Sequence, residues 1–330
     1  MLIVEKKKDF RREIKKSSNI FIMAHKNLDL DAIGSSIGMY TILKKMKKTC
    51  YLIIDDQEQE PGVAKVLREL EGCLNIIESS EIKEKLAKIE SKNLLLILDT
   101  AKTDLVQSKK ALDYFSRKII MDHHEPGKTS IKDVTLEIID DRASSTCEMV
   151  CQLVEAYKVD LDPYYCTVVL AGIVLDTNNF TLKTSNDTFY AAYYLTTLGA
   201  SVKKVQYLLK QDLKDYTERQ KLLTGIKMVN NNIAVTKGSP YTIYRREDLA
   251  KIADTLLFFN DVEASFVIGK IGPDTVGLSG RSMGNMNILP ILEKLGGGGE
   301  ESNGAAKFER IAISKAEEKL MQALEKKKRW

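Results

Sequence analysis

The sequence predicts an α/β protein: a doubly wound parallel sheet, then a helical connector, then a smaller mixed α/β unit. Short apolar runs of strand length alternate with helical patterns in the first part of the chain, which is typical of a parallel sheet buried on both faces. The middle of the chain is mostly helical, and strand patterns return after it. At roughly 100–200 residues per domain, 330 residues indicate two domains.

The first unit is predicted over residues 1–200. Four continuous apolar runs predict its strands, at residues 19–24, 50–54, 93–98 and 118–121. Apolar residues at helical spacing predict helices at 32–46 and 63–70. From residue 144 onward the pattern is helical, and Ser145 and Glu148 have the S-x-x-E form of a capping box.

Residues 201–228 are charged and amphipathic, and they predict the helical connector. The second unit is predicted over residues 229–330. Its predicted strands are 232–236, 264–271 and 275–279, and its predicted helices are 246–258 and 311–326.

Composition excludes several classes of protein. With 50 basic and 46 acidic residues the net charge is +4, which excludes a strongly basic nucleic-acid coat. No apolar run approaches the ~18 residues of a membrane span, so we expect none. Five cysteines without a CxxC pair favour reduced thiols and a cytoplasmic location.

All three histidines of the sequence follow predicted strands: His25 after the first, and His123 and His124 after the fourth. Asp99 and Asp122 end two of these apolar runs. The carboxyl ends of parallel strands form the ligand crevice of a doubly wound sheet, so we expect these side chains at one edge. A single Asp after a strand is usually a turn or cap residue, but this combination favours a metal site.

Asp29 and Asp31 form a D-x-D in the loop after the first strand. In an extended segment their side chains face the same way. Converging carboxylates repel one another, and divalent cations remove that conflict. Oxygen and imidazole ligands without thiolate favour manganese or a similar ion, and paired metals are typical of displacement at phosphorus. The residues therefore predict a two-metal phosphoester hydrolase.

The same residues carry a family resemblance. The segments HKNLDLDAIGS (25–35), LDT (98–100), DHH (122–124) and GIVLDT (172–177) resemble, in order, the four motifs of the DHH phosphoesterases. DRASSTCEMV (141–150) is similar to another signature of that family. GLSGRSMGNMN (277–287) and LGGGGEESNGAA (295–306) resemble its DHH-associated substrate domain.

Within the family, the first motif, NNFTLKTSNDTF (178–189) and the glycine run are most similar to the catalytic portion of GdpP-type cyclic-di-AMP phosphodiesterases. Those proteins usually carry a membrane anchor, a PAS domain and a degenerate GGDEF domain. The sequence therefore resembles a stand-alone or excised catalytic unit.

The resemblance implies two manganese ions with one shared ligand. The first would be held by His25, Asp29 and Asp99, and the second by Asp31, Asp99, His123 and Asp176. It also implies that Asp122 orients ligands and that His124 contacts the phosphoryl group. A hydroxide bridging the metals would attack phosphorus, with Arg281 also stabilising the developing charge. From the residues alone, Asp176 ends an apolar run compatible with helix or strand.

The substrate-binding residues expected in the second unit are Ser279, Arg281, the glycine run Gly296, Gly297, Gly298 and Gly299, and Asn303. Exposed amides of a glycine run bind phosphate in some loops, although such a run is more often a flexible connection. The family usually has His directly after these glycines, whereas this chain has Glu300. An anion there would repel a phosphate.

The leading expectation is a manganese-dependent phosphodiesterase that opens cyclic-di-AMP to pApA. The alternatives are an oligoribonuclease (nanoRNase) or pAp phosphatase, and a nucleotide-binding sensor of low turnover. A type II inorganic pyrophosphatase shares the metal motifs but fits the glycine-rich region poorly. The expected partner is a cyclic or short linear dinucleotide, and a homodimer is possible.

Overall fold

The computed structural model of the chain describes residues 2–55, 59–124, 131–284 and 286–325. The chain divides into two compact units, Met1–Lys210 and Gln211–Trp330. Among the residues described, no helix has the length and apolar character needed to cross a bilayer.

The strands of the first unit are β1 (Asn19–Met23), β2 (Thr49–Ile53), β3 (Ile76–Ile77), β4 (Asn93–Leu98), β5 (Lys118–Asp122) and β6 (Val134–Ile139). Its helices are α1 (Leu2–Lys16), α2 (Leu30–Lys45), α3 (Pro61–Glu69), α4 (Ile82–Lys85), α5 (Thr146–Ala156), α6 (Pro163–Asp176), α7 (Asn186–Thr197) and α8 (Val202–Leu208).

The six strands form one sheet in the order β3-β2-β1-β4-β5-β6, and every neighbouring pair is parallel. Alternate residues of a strand face different cores: Leu94 and Leu96 of β4 join one apolar cluster, and Leu95 and Ile97 join another. Burial on both faces explains why this strand is apolar from Leu94 to Leu98. The predicted fold class is confirmed, whereas sequence patterns missed the two edge strands, β3 and β6.

Helices α2 and α6 approach closely on one face of this sheet, and glycines allow it. A Cβ on Gly34 would lie 2.8 Å from Cys147 Sγ and 2.9 Å from the Val168 carbonyl oxygen. A Cβ on Gly172 would lie 2.5 Å from the same sulfur and 2.8 Å from the Leu30 carbonyl oxygen. Real Cβ atoms do not tolerate such distances, so the first turn of α2 packs against α6 only with glycine at these positions.

The second unit contains β7 (Lys227–Val229), β8 (Ile233–Lys237), β9 (Ala264–Gly272), β10 (Thr275–Ser282), β11 (Gly298–Gly299) and β12 (Asn303–Glu309). Its helices are α9 (Leu213–Gln220), α10 (Arg246–Leu256), α11 (Leu289–Lys294) and α12 (Ile313–Glu325). The strand order is β11-β12-β10-β9-β8-β7, and only the β8–β9 pair is parallel. The sheet is therefore mixed in strand direction, and with its helices it forms the mixed α/β unit that the sequence predicts.

The segment predicted as a connector, residues 201–228, comprises α8, α9, a 3-10 turn over Lys221–Gly225 and the beginning of β7. The two compact units divide between Lys210 and Gln211. The predicted domain boundaries after residues 200 and 228 stay a prediction. The helix predicted to end at residue 326 extends over Ile313–Glu325, and its last predicted residue lies outside the described part.

A buried carboxylate attaches α1 to the amino end of the sheet. Glu13 is 5% exposed, and it accepts hydrogen bonds from Arg117 Nη2 at 2.7 Å and Lys16 Nζ at 2.8 Å. Arg117 directly precedes β5 and also donates to the Glu13 carbonyl oxygen. Burial alone would raise the pKa of Glu13, but the hydrogen bonds from Lys16 and Arg117 lower it to about 2.

We expect Glu13→Gln to lower the free energy of unfolding near neutral pH by about 1.5–3 kcal/mol, the contribution of hydrogen bonds to a charged group. The pKa of Glu13 is lower in the folded chain than its ordinary value of 4.5. Its stabilising effect is therefore fully present above about pH 4.5 and is lost as pH falls through about 2. Urea unfolding across this range measures the effect.

The matched control is Glu5→Gln on the exposed side of the same helix, for which we expect a change within about 0.5 kcal/mol. A cost of Glu13→Gln that stayed constant down to pH 2.5 would contradict the assignment.

Candidate metal centre

The carboxyl edge of the parallel sheet gathers the side chains that the sequence singled out. His25 lies two residues after β1, Asp99 directly follows β4, and Asp122 is the last residue of β5. Helices complete the edge: Asp29 is the N-cap of α2, and Asp176 is the last residue of α6. Helix α6 thus settles the local structure at Asp176, which the sequence left open.

One group of possible ligands consists of His25, Asp29 and Asp99, whose ligand atoms lie within 4.8 Å of one another. His25 Nε2 is 3.2 Å from Asp99 Oδ2 and 3.7 Å from Asp29 Oδ1. His25 Nδ1 lies 2.8 Å from the Lys26 carbonyl oxygen. A hydrogen bond from Nδ1 to a carbonyl is the usual way to fix an imidazole that binds a metal through Nε2.

A second group consists of Asp31, His123 and Asp176. His123 Nε2 lies 3.1 Å from Asp176 Oδ2, 3.4 Å from Asp99 Oδ1 and 3.9 Å from Asp31 Oδ2. Both ring nitrogens of His123 are buried without a hydrogen-bond partner of acceptable geometry. A buried imidazole surrounded by carboxylate oxygens, yet not hydrogen-bonded to them, suits a metal ligand.

Asp99 belongs to both sets of contacts, because its Oδ2 faces His25 and its Oδ1 faces His123. Its backbone is left-handed, with φ of 63°. Non-glycine residues adopt this conformation at a cost, and aspartate tolerates it better than most. This strained position turns the carboxylate out of β4 toward both His25 and His123.

Asp31 is held by the amino end of α5. It is fully buried, and its two oxygens accept hydrogen bonds from the backbone N–H groups of Thr146 at 2.8 Å and Cys147 at 2.7 Å. These are first-turn N–H groups, which have no partner within their own helix. The Thr146 hydroxyl in addition donates to Asp99 Oδ1 at 3.0 Å.

Sequence patterns do not identify Thr146 as a residue of this site. The signal available was the predicted capping box, since the residue after an N-cap exposes an unpaired N–H group. Only half of that box is present: Ser145 Oγ accepts from the Glu148 N–H at 3.0 Å. The Glu148 carboxylate instead accepts from the backbone and hydroxyl of Ser144 and from the Thr188 hydroxyl.

The carboxylates of this edge shift one another's pKa values. Burial, together with the charges of Asp99 and Asp176, raises the pKa of Asp31 well above its ordinary value. Burial likewise raises the pKa of Asp176. Burial opposes ionisation of Asp99 as well, but His123 and His25 outweigh it and lower the pKa of Asp99. Carboxylic acids whose pKa values are shifted in opposite directions within one crevice are typical of a functional site.

Asp122 and His124 form a pair beside these groups. His124 Nδ1 is 2.7 Å from Asp122 Oδ1, which also accepts from the His124 backbone N–H at 3.2 Å. Asp122 is buried, whereas the His124 side chain is 58% exposed. The pair thus orients an accessible imidazole at the edge, and the ring centroids of His124 and His123 are 4.4 Å apart.

The D-x-D differs from its expected extended form. Asp29 is extended, but α2 begins at Leu30, so Asp31 lies in the first helical turn. Asp29 Oδ1 accepts from the N–H groups of Asp31 and Ala32, both at 2.9 Å. Helix capping, and not the alternation of a strand, therefore directs Asp29 to the first ligand group and Asp31 to the second.

The predicted substrate residues of the second unit lie on β10, in the glycine run that includes β11, and at the start of β12. Ser279 is buried in β10, and its hydroxyl accepts from Arg281 Nη1 at 3.3 Å. Arg281 Nε lies 2.9 Å from Asp254 Oδ1 on α10. Burial raises the pKa of Asp254, and the charge of Arg281 opposes that change. The arginine is therefore neither a solvated charge nor unpaired, because Asp254 fixes its orientation.

The glycine run forms a tight hairpin. Gly298 and Gly299 are β11 and pair with Ala305 and Gly304 of β12. A Cβ on Gly297 would lie 2.2 Å from the Ala305 carbonyl oxygen. Close backbone approach therefore accounts for glycine in this run, and phosphate binding by its amides stays a prediction.

Glu300 lies in the turn of this hairpin and contacts Asn303. Its backbone N–H donates to the Asn303 carbonyl oxygen at 2.7 Å, and its carboxylate accepts from the Asn303 side-chain amide. The anion thus engages the amide that was predicted to bind substrate.

The chain is similar to several known proteins. Residues 19–173 match the DHH family, N-terminal domain. The chain is 35% identical over 316 residues to the cyclic-di-AMP phosphodiesterase PdeA of Listeria monocytogenes, covering 94% of this chain and 48% of that protein. It is 25% identical over 307 residues to the bifunctional oligoribonuclease and PAP phosphatase NrnA of Thermus thermophilus, covering 92% of this chain and 89% of that protein.

Among solved structures, an exopolyphosphatase-related protein from Bacteroides fragilis matches with a TM-score of 0.76 at 19% identity. The match covers 97% of this chain and 95% of that chain, so the fold is shared along its length. The chain spans about half the length of the Listeria relative.

We expect Thr146→Val, which removes the hydroxyl bonded to Asp99 at nearly constant volume, to weaken Mn²⁺ binding about 10- to 100-fold, as loss of a partner of a metal ligand usually does. Calorimetric titration of the metal-free protein with Mn²⁺ measures it without relying on activity.

The control is Thr41→Val in α2, where the hydroxyl donates only to the Ile37 carbonyl oxygen of its own helix. Equal Mn²⁺ affinity of Thr146→Val and wild type would show that the Thr146 hydroxyl does not contribute to metal binding.

Proposed function

Because residues 19–173 place this chain in the DHH family, we propose that it is a manganese-dependent phosphodiesterase that hydrolyses cyclic-di-AMP to linear pApA. The proposal extends to this chain the substrate in the name of the Listeria relative, which is 35% identical to it. In the reaction, one water molecule breaks one of the two phosphodiester bonds.

The observation that carries the proposal is that Asp99 belongs to the first ligand group and also contacts His123 of the second. We propose His25, Asp29 and Asp99 for one cation, and Asp31, Asp99, His123 and Asp176 for the other. The donors are oxygen and imidazole nitrogen only, a set that suits manganese. Two such cations would neutralise the crowded carboxylates, polarise a phosphoryl oxygen and lower the pKa of water.

His124 is the residue proposed to contact the phosphoryl group. Its Nδ1 is 2.7 Å from Asp122, so the ring is oriented by a buried carboxylate. With Nδ1 engaged, Nε2 remains for the substrate. In the imidazolium form, Nε2 would donate a hydrogen bond to a phosphoryl oxygen and stabilise the negative charge that develops there. Asp122 acts through His124 and is a positioning residue.

The second unit is proposed to bind the nucleotide through Ser279, Arg281, Gly296–Gly299 and Asn303. A guanidinium suits this role because it binds phosphate with two parallel hydrogen bonds. The hydrogen bond of Asn303 to Glu300 and the pairing of Arg281 with Asp254 mean that substrate would exchange with existing partners. Homodimerisation and a cytoplasmic location stay predictions.

One observation keeps a second function in view. NrnA of Thermus thermophilus, a bifunctional oligoribonuclease and PAP phosphatase, is 25% identical over nearly the same region. The lower identity places this function second, and short linear substrates must be compared directly.

We expect Asp99→Asn to reduce kcat/KM for cyclic-di-AMP with Mn²⁺ by about 10³-fold or more, because amide oxygen replaces the carboxylate shared by both ligand groups. Chromatography of the products, beside parallel reactions with pApA and pAp, gives substrate and product together.

The control is Asp113→Asn, at an exposed position of the same unit, with expected wild-type activity. Cleavage of pApA or pAp but not cyclic-di-AMP would instead establish the oligoribonuclease or phosphatase function. Mn²⁺ binding without turnover of any of the three would indicate a sensor.

We expect Glu300→Gln to lower KM for cyclic-di-AMP about fivefold with little change in kcat, since it removes a negative charge near the proposed phosphate-binding residues and keeps an acceptor for Asn303. Glu301→Gln, its exposed neighbour, serves as the control. Steady-state kinetics at two salt concentrations would separate this local effect from long-range attraction or repulsion of the charged substrate, which salt screens. An unchanged KM would show that Glu300 does not affect substrate binding.

A further inference from the structure

A surface groove of about 590 Å³ lies in the first unit, outside the two ligand groups. It is formed by the segment after β6, the loop after α6 and the first turn of α7. Its walls combine aromatic rings, cations and hydroxyl groups, contributed by Phe180, Phe189, Arg142, Lys183, Thr181 and Thr184.

The two rings form a platform. Phe180 and Phe189 are stacked, with centroids 5.6 Å apart and an interplanar angle of 19°. Phe189 is 57% exposed, an unusual position for a large apolar side chain at the start of a helix. An exposed aromatic face binds a nucleobase by stacking, and it does so for any base.

The backbone that presents Phe180 is strained. Asn178, Asn179 and Phe180 are consecutive left-handed residues, with φ of 45°, 59° and 61°. This conformation is rare for a residue as bulky as Phe180. The Thr177 hydroxyl accepts from the Phe180 N–H at 3.0 Å and holds the ring in this position. Strain retained in an exposed loop is typical of a binding segment.

Two short connections join the groove to the candidate metal centre. Phe180 is four residues after Asp176, so their Cα atoms are at most ~14 Å apart. On the other wall, Arg142 Nε lies 2.9 Å from Asp140 Oδ1, and the Asp140 N–H donates to the Asp122 carbonyl oxygen at 3.0 Å. Both walls of the groove are therefore only a few residues from the candidate metal centre.

The charges of the groove suit a nucleotide. Arg142 and Lys183 carry positive charge, and Asp141 is the carboxylate among the lining residues. The Arg142 side chain is 73% exposed, and its contact with Asp140 fixes the direction of the guanidinium. Cations at the rim of an aromatic platform match a base that carries a phosphate.

We propose that this groove binds one nucleobase of the substrate by stacking on Phe180 and Phe189, with Arg142 and Lys183 contacting the phosphate of that nucleoside. The inference rests on the proposed function for its ligand class and assigns the base-binding side of the same reaction. Phe189 then contributes to substrate affinity, whereas the candidate metal ligands do not depend on it.

The test compares AMP with ribose 5-phosphate, which differ only by the base, binding to the full chain in EDTA. We expect wild type to prefer AMP. Phe189→Ala should weaken AMP binding roughly 5- to 150-fold, the effect of losing one stacked base, and leave ribose 5-phosphate unchanged. Phe189→Tyr should restore the preference, which distinguishes stacking from a folding defect.

Tyr193→Ala is the matched control, since this tyrosine is 64% exposed on the same helix and does not line the groove. Lys183→Gln should weaken the binding of AMP and of ribose 5-phosphate equally. Lys203→Gln is the control for this variant. Equal affinity of wild type for the two ligands, or an undiminished AMP preference in Phe189→Ala, would overturn the proposal.

Because binding is measured without metal, the two proposals fail separately. An AMP preference that depends on Phe189, with no hydrolysis of any nucleotide when Mn²⁺ is added, would support base binding in the groove and contradict the phosphodiesterase activity. Hydrolysis of cyclic-di-AMP with an AMP preference independent of Phe189 would support the activity and contradict base binding in the groove.

Discussion

The constraint on which the first unit depends is the cost of burying Asp31 among other carboxylates. A fully buried carboxylate must be paired or hydrogen-bonded, and its nearest charged neighbours include Asp99 and Asp176, which repel it. The amino end of α5 meets this requirement with two N–H groups. A helix amino end carries partial positive charge, so it stabilises the anion in addition to satisfying its oxygens.

This contact explains the packing around it. For α5 to reach Asp31, α2 and α6 must lie close to Cys147, which is why glycine stands at Gly34 and Gly172. The buried Glu148 then ties Ser144, just before α5, to Thr188 on α7. Helix α7 also carries Phe189, so α5 contacts both the candidate metal centre, through Thr146, and the helix that presents this aromatic ring. The helices of this face are thus arranged by a polar requirement as well as by apolar burial.

Local patterns in the sequence predict the parts of this structure that depend on short-range rules. Apolar runs such as β4 identify buried parallel strands, and polar residues after them identify the carboxyl edge. The edge strand β6 was missed because two of its six residues, Thr135 and Glu137, are exposed and polar, so it lacks a continuous apolar run. Thr146 was missed because its partner Asp99 is 47 residues away in the chain. Contacts across such separations depend on how helices pack, and periodicity does not encode that packing.

Asp29 illustrates why cap and ligand interpretations of a residue need not compete. Its Oδ1 accepts from two N–H groups at the start of α2, which is ordinary helix capping, and yet lies 3.7 Å from His25 Nε2. A carboxylate offers about four acceptor sites, so capping consumes only part of its capacity. Capping also fixes the side-chain rotamer, which a metal ligand needs and a freely rotating surface aspartate lacks. The same reasoning applies to Asp31, whose oxygens are oriented by α5. At this edge, the hydrogen bonds that begin the helices are also what hold the candidate ligands in place.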